Sequence, residues 1–173
     1  MSKVVVREPL VVVKCETPGG ALFVVSDPVA EIVVASAFGT RSDAERHLPA
    51  ELTSRGIRRS SSSAGSLAVA AWADGDLASL DAITVQQPGT DFLQTTWTAL
   101  RGVRAGSVVT YGELAELAGR PKAARAAGHA CAINRVAPFV PCHRVVPSSG
   151  GVGNYGFGVS VKVALLAHEH AAL

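Results

Sequence analysis

Four apolar runs rich in branched side chains crowd into the first 38 residues: Val4-Val5-Val6, Leu10-Val11-Val12-Val13, Leu22-Phe23-Val24-Val25 and Ile32-Val33-Val34. Each has the length of a strand, and β-branched side chains pack well on a pleated surface while losing rotamer freedom in a helix. Pro18-Gly19-Gly20 and Asp27-Pro28 supply turns between them. The opening segment therefore predicts a small antiparallel sheet. Val4–Val6 and Leu10–Val13 are too short to cross a bilayer and are interrupted by Arg7, Glu8 and Lys14. No signal-peptide pattern accompanies them, so no membrane association is expected.

The pattern then changes to helical spacing. Ser42 to about Arg55 reads as one helix capped by Ser42, with i, i+4 pairs among Ala44, His47, Leu48 and Leu52, although Pro49 counts against it. Ser60–Ser63 is a polar loop. Leu67, Val69, Ala70, Ala71 and Trp72 belong to a second helix that ends near Asp74-Gly75. Pro88-Gly89-Thr90 breaks the chain, which places a domain boundary there: residues 1–87 and 88–173. The 173 residues suffice for two small domains that share a core, and 48% hydrophobic against 17% charged residues excludes a disordered chain.

Beyond the break, Thr90 or Asp91 can cap a helix in which Leu93, Trp97 and Leu100 lie at i, i+4, i+7, with Trp97 in the core. Thr110 and Glu113 have the spacing of a capping box, Leu114, Leu117 and Ala118 form the apolar face behind it, and Gly119 ends that helix. Pro121 suits the first turn of the next, which reaches Ala132. Two helices joined by a short Gly-containing turn resemble a helix-turn-helix. The second is mostly Ala and Gly, with Lys122, Arg125 and His129 on one face. It lacks the side chains that read base edges, but could lie close against a groove and meet backbone. The same small residues would serve close helix–helix packing, so the residues alone leave both readings open. A net charge of +2 confines any nucleic-acid site to a local patch. A last helix runs from about Val159 to His170, with Ser160 as a cap and Val161, Ala164 and Leu165 as its packing face.

Chemistry concentrates in Pro141-Cys142-His143-Arg144-Val145-Val146. Proline fixes the backbone just before the Cys, and a His follows it. A buried core Cys is the bland reading. The sharper one is a nucleophile, since a thiol needs a basic neighbour to become a thiolate. The three cysteines, Cys15, Cys131 and Cys142, are an odd count without paired spacing, which fits a reducing cytoplasm rather than a disulfide framework.

Taken in order, Thr110-Tyr111-Gly112-Glu113-Leu114-Ala115, Ala123-Ala124-Arg125-Ala126, Asn134, the Pro-Cys-His-Arg-Val-Val run, Gly153-Asn154-Tyr155 and Lys162…Leu165-Leu166…Glu169 resemble the O(6)-alkylguanine-DNA alkyltransferase family. The resemblance is dense from Gly89 to Glu169, about half the chain, and holds only in outline before it. It implies an α/β (α+β) fold, with a ribonuclease H-like N-terminal domain and a C-terminal helical domain carrying a winged helix-turn-helix-like motif. It also implies direct-reversal DNA repair: single-turnover transfer of a methyl or other alkyl group from O(6)-alkylguanine, and from O(4)-alkylthymine, to Cys142. The implied relay is Glu169, His143 and Cys142, with a water between the last two. The resemblance further gives Tyr111 the flipped purine and the leaving guanine, Arg125 the place vacated in the base stack, and Asn134 the turn before Cys142. Val145, Tyr155, Gly156 and Phe157 would form the base pocket. Arg120 and Ser148 join Tyr111 and Arg125 on the DNA. Base extrusion is physically required, because the reactive carbon lies inside the duplex. The expected partner is double-stranded DNA bearing the lesion, met by a monomer. No cofactor, soluble methyl donor or metal is expected, and the setting is cytoplasmic: nucleoid-associated in a bacterium, nuclear in a eukaryote.

The sequence departs from the family at three places. Phe157 stands where a glycine pair is usual after the pocket Tyr, and Arg135 follows Asn134 where Pro is usual. Cys15 and His47 are the only Cys and His before residue 88, too few for the structural zinc that some members hold. A lesion-binding relative that performs no transfer would carry another residue in place of Cys142. A helix-turn-helix regulator should carry more base-reading side chains than this second helix does.

Overall fold

The computed structural model describes residues 8–172. Three strands, β1 (Leu10–Thr17), β2 (Gly20–Asp27) and β3 (Ile32–Phe38), form an antiparallel meander, with Val12 opposite Val25 and Leu22 opposite Phe38. The Val4–Val6 run lies outside the described residues. The turn at Pro18-Gly19 is close-packed: a Cβ on Gly19 would stand 3.0 Å from both Val161 and Leu165 of the last helix. Gly20 follows with φ +100°, a backbone open to glycine at little cost.

A fourth strand, β4 (Ile57–Arg59), corrects the expected antiparallel sheet. It pairs parallel with β1, so the sheet is mixed, in the order β3-β2-β1-β4. Three residues with two arginines show no strand period. Only the neighbouring β1 makes this segment a strand.

The single helix expected over Ser42–Arg55 is two pieces. Helix α1 (Arg41–Arg46) is capped by Thr40, not Ser42, in a box closed by Asp43, and a 3-10 turn covers Ala50–Arg55. Pro49 separates them because it lacks an amide hydrogen and drives the residue before it out of helical geometry. The serine loop also has structural work. Ser63 caps α2 (Ala64–Ala73) in a reciprocal pair with Ser66. Residues 83–86 then run along β3, with Val33 N–H donating to the Thr84 carbonyl and Gln86 N–H to that of Val33.

Helix α3 (Asp91–Arg101) follows Thr90, whose side chain makes no cap bond, and turns Trp97 and Leu100 inward. A short strand, β5 (Val109–Thr110), leads into α4 (Tyr111–Leu117) through the expected Thr110–Glu113 box. Helix α5 (Ala124–Ala132) starts later than expected, because Pro121 and Lys122 form a turn, and this takes Lys122 off the helical face of Arg125 and His129. After β6 (Val145–Val146), α6 (Val159–His168) begins behind Gly158, with φ +102° at the cap position where Ser160 was expected to serve. Of the expected packing face only Leu165 is buried, Val161 and Ala164 being half-buried, and Lys162 and Leu166 are buried beside it.

One hydrophobic core runs through both halves of the chain. It joins Val13, Leu22 and Val24 of the sheet and Trp72 of α2 to Trp97, Leu114, Ala127, Phe139, Val145 and Leu165. The opposite sheet face packs Leu10, Val12 and Val25 against Ala44 and Leu48.

Candidate active site

Cys142 opens a 3-10 turn, Cys142–Arg144, that feeds directly into β6. Parallel pairing of β6 with β5 sets Val145 opposite Val109 and Val146 opposite Thr110. Tyr111, the next residue after β5, is thereby held beside the Cys142 turn. Both line one cavity of about 410 Å³, together with Cys131, Asn134, Tyr155 and Phe157. The far wall comes from the N-terminal half, where His47 packs its ring 5.7 Å from that of Phe157.

The segment before Cys142 is docked on β3. Ser36 N–H donates to the Arg135 carbonyl at 2.8 Å, and Ser36 Oγ to that of Ala137 at 2.6 Å. Asn134 braces the turn: its Nδ2 donates to the Val140 carbonyl at 2.7 Å and to Cys142 Sγ at 3.2 Å. Burial pushes the Cys142 thiol pKa up, and the Asn134 hydrogen bond opposes that rise.

Glu169 caps the C-terminus of α6 and is almost fully buried. Arg144 grips it in a fork, Nε to Oε2 at 2.9 Å and Nη2 to Oε1 at 2.8 Å. Trp72 Nε1 of α2 adds a bond to Oε1 at 3.3 Å. His143 Nε2 lies 3.1 Å from the same oxygen, near enough for a charge contact but off the line of a hydrogen bond. Its Nδ1 is buried without a hydrogen-bond partner among the described residues. Burial would raise the Glu169 pKa, but the donors and charges of His143 and Arg144 outweigh it and bring it to about 2. Its two hydrogen bonds from Arg144 hold the carboxylate in place independently of His143. Burial pulls the His143 pKa down, against the pull of Glu169.

Other expected site residues divide by position. Gly156 lines the cavity, but Val145 does not: it is fully buried, and its carbonyl accepts the Lys162 ammonium at 2.6 Å. Burial lowers the Lys162 pKa, while Cys142 and Cys131 act to raise it. Burial raises both tyrosine pKa values, that of Tyr155 well above the ordinary 10.0. The Tyr155 hydroxyl is near the sulfur yet has no partner in hydrogen-bond geometry among the described residues. Tyr111 and Gly128 also line an outer groove with Arg125, Ser148 and Pro147. Arg120 is exposed outside that groove, its guanidinium 5.5 Å from the centre of the Phe92 ring. Among the described residues, no three or more His, Cys, Asp or Glu side chains gather as a metal site.

The methylated-DNA–protein-cysteine methyltransferase of Salmonella typhimurium is 37% identical over 159 residues, 90% of this chain and 93% of that protein. The chain belongs to this methyltransferase family. DNA repair, DNA binding and methyl transfer to a protein cysteine define the family's activity. A model of the 6-O-methylguanine DNA methyltransferase DNA-binding domain matches residues 91–171. The human methyltransferase is 57% identical over 76 residues, covering 44% of this chain but 37% of its own length. Solved methyltransferase structures agree in fold. Mycobacterium tuberculosis O6-methylguanine methyltransferase superposes with a TM-score of 0.73 at 29% identity, covering 94% of this chain and 92% of that one. The same organism's OGT in complex with DNA gives 0.71 at 28% identity, with 93% and 94% covered. Arg144, Trp72, His47 and Gln87, whose Nε2 donates to Asn134 Oδ1 at 3.2 Å, had drawn no active-site role from sequence. Arg144 directly follows two named residues, Cys142 and His143, which was the available signal. The other three reach the site only through the fold.

Proposed function

We propose that this chain repairs O(6)-alkylguanine in double-stranded DNA by moving the alkyl group onto Cys142, once per molecule. One observation carries the reading: Cys142 Sγ, with an amide donor at 3.2 Å, lines a cavity that shares Tyr111 and Gly128 with a groove bearing Arg125. The groove takes the DNA, with Arg125 filling the place of the extruded nucleotide and Ser148 on the backbone. The cavity takes the base between Tyr155, Gly156 and Phe157. On this reading Glu169 holds His143, and His143 Nδ1 accepts the thiol proton through a water. The thiolate attacks the alkyl carbon, the S–C bond forms as the C–O bond breaks, and the electron pair leaves on the guanine oxygen. Tyr111 passes a proton to the leaving guanine, and the proton that His143 took from the thiol replaces it through water, so that guanine leaves neutral. The thioether resists water and thiols, so the protein stops after one event and needs no soluble methyl donor.

O(4)-alkylthymine presents the same alkyl–oxygen bond and is a second substrate. One chain supplies the whole cavity, so a monomer suffices. The work takes place where the chromosome is: the bacterial cytoplasm and nucleoid, or the eukaryotic nucleus. In this reading residues 1–87 form a ribonuclease H-like domain that buttresses the site. Residues 88–173 form the transferase domain, with α4 and α5 as its winged helix-turn-helix-like motif. The test is peptide mapping after mixing with a duplex that carries O(6)-methylguanine and nothing else. One methyl on the Cys142 peptide is expected. A methyl on Cys15 or Cys131, or repeated turnover, overturns the reading.

A further inference from the structure

The geometry points to Gln87 as a positioning residue for the nucleophile: oriented by the Arg135 amide, it turns the Asn134 carboxamide so that an N–H faces the Cys142 sulfur. This rests on Cys142 being the nucleophile.

A carboxamide has two ends of nearly equal size and opposite hydrogen-bonding character. Which end of Asn134 faces the sulfur decides whether a thiolate meets a donor or a lone pair. Three backbone groups, whose roles cannot be exchanged, settle it here. The Arg135 N–H can only donate, and it does so to Gln87 Oε1 at 2.8 Å. Gln87 Nε2 is therefore the end that faces Asn134, and it donates to Asn134 Oδ1 at 3.2 Å. The Val136 N–H donates to the same oxygen at 3.2 Å. The Val140 carbonyl can only accept, and it takes Asn134 Nδ2 at 2.7 Å. The remaining Nδ2 hydrogen goes to Cys142 Sγ at 3.2 Å. Turning Asn134 over would set donor against donor at Oδ1 and acceptor against acceptor at Val140 and the sulfur.

The chain of contacts is largely buried, and only its Asn134–Cys142 end borders the cavity. Gln87 and Asn134 are each 5% exposed, and Cys142 is 7% exposed. Reversed or broken hydrogen bonds are costly in such a place. Gln87 is fixed from both sides: Gln86 N–H bonds to Val33 of β3, and Gln94 Nε2 of α3 donates to the Gln87 carbonyl at 2.8 Å. The first link depends on a departure noted in the sequence. A proline at 135 has no N–H, whereas Arg135 supplies one and so fixes the polarity of everything downstream. A donor held on sulfur favours the thiolate and counters the burial that disfavours it.

Gln87→Glu keeps the shape and still accepts from Arg135, but as a carboxylate it offers no hydrogen to Asn134 Oδ1. Two readouts apply: the pH dependence of Cys142 alkylation by iodoacetamide, followed on the Cys142 peptide, and methyl transfer from DNA. The midpoint of alkylation should rise by about one pH unit, and transfer at neutral pH should fall about tenfold. Gln87→Met removes both bonds without repulsion, and Val136 still holds Asn134, so its losses should be about threefold. Arg135→Pro should act in the same direction. A folded Gln87→Glu with the parent's midpoint and rate overturns the proposal. If that variant does not fold, Gln87→Met and Arg135→Pro decide, and parent-like midpoints in both overturn it. If the parent takes no methyl on Cys142 from DNA, the nucleophile itself is misassigned, a different outcome from failure of Gln87 alone.

Discussion

Phe157 is where a single side chain sets the shape of the cavity. Its ring packs edge-on against Phe38 at 5.4 Å and Tyr155 at 5.5 Å, and against His47 at 5.7 Å. These three contacts hold the ring against the cavity wall. Overpacking a tight site costs about 1–3 kcal/mol, more than the about 0.5–1.5 kcal/mol that ring stacking returns. O(6)-benzylguanine should therefore react about ten- to a hundredfold more slowly than its methyl counterpart warrants. Phe157→Gly should restore benzyl transfer selectively, at a cost in stability because a packed ring is lost. Rapid consumption of the benzyl base by the parent, unchanged in Phe157→Gly, would show that the ring does not limit the pocket. Residues of this kind were legible in the sequence because they sit in one short run with Asn154 and Tyr155. Gln87 and Trp72 were not. Gln87 meets Asn134 across 47 residues of sequence and Trp72 meets Glu169 across 97, and no local pattern encodes either contact.

At the scale of elements, α5 and the Pro147-Ser148 loop both line the outer groove, to which α5 contributes Ala124, Arg125 and Gly128. Arg125 is exposed there and belongs to the groove, not to the inner cavity. Arg125→Ala should thus slow transfer on duplex DNA by about tenfold or more, since extruding a base costs a few kcal/mol. Reaction with the free modified base, which needs no extrusion, should hold at the parent rate. Comparing the two rates on one preparation checks this, and equal losses would place Arg125 in folding or in the pocket. Elements with local signals were readable from sequence. The Thr110–Glu113 box starts α4 as its spacing predicts, since a capping box is complete within four residues. The Ser63–Ser66 box was hidden because serine at its fourth position is an unusual partner, and β4 because its pairing partner lies 47 residues upstream, Leu10 opposite Ile57. Pro49 carried the information that divides the first helix.

Across the whole molecule, Glu169 joins pieces that lie far apart in sequence: α6, which it ends, the Cys142–Arg144 turn, and α2 through Trp72. Its pKa falls from an ordinary 4.5 to about 2 on folding. A lowered carboxyl pKa adds stability that is fully present above the unfolded value and is lost as pH falls through the folded one. The window is therefore about pH 4.5 to 2, and the linked free energy is on the order of 3 kcal/mol. His143 acts in the same direction at higher pH. Burial holds its pKa below the ordinary 6.5, so the unfolded chain binds that proton more readily, and stability declines as pH drops below about 6.5. Asp27, part-buried beside Arg55, also has a pKa of about 2, so its smaller contribution is lost in the same acid window. Urea unfolding followed from pH 7 to 2 should show stability falling in two stages, first with His143 and then with Glu169. Glu169→Gln should start about 3–5 kcal/mol lower at pH 7, because Arg144 is left buried without its counter-charge. Its curve should then be flatter between pH 4.5 and 2 and approach that of the parent at the acid end. A parallel pair of curves across that window would mean that Glu169 is not the group whose protonation loosens the two halves.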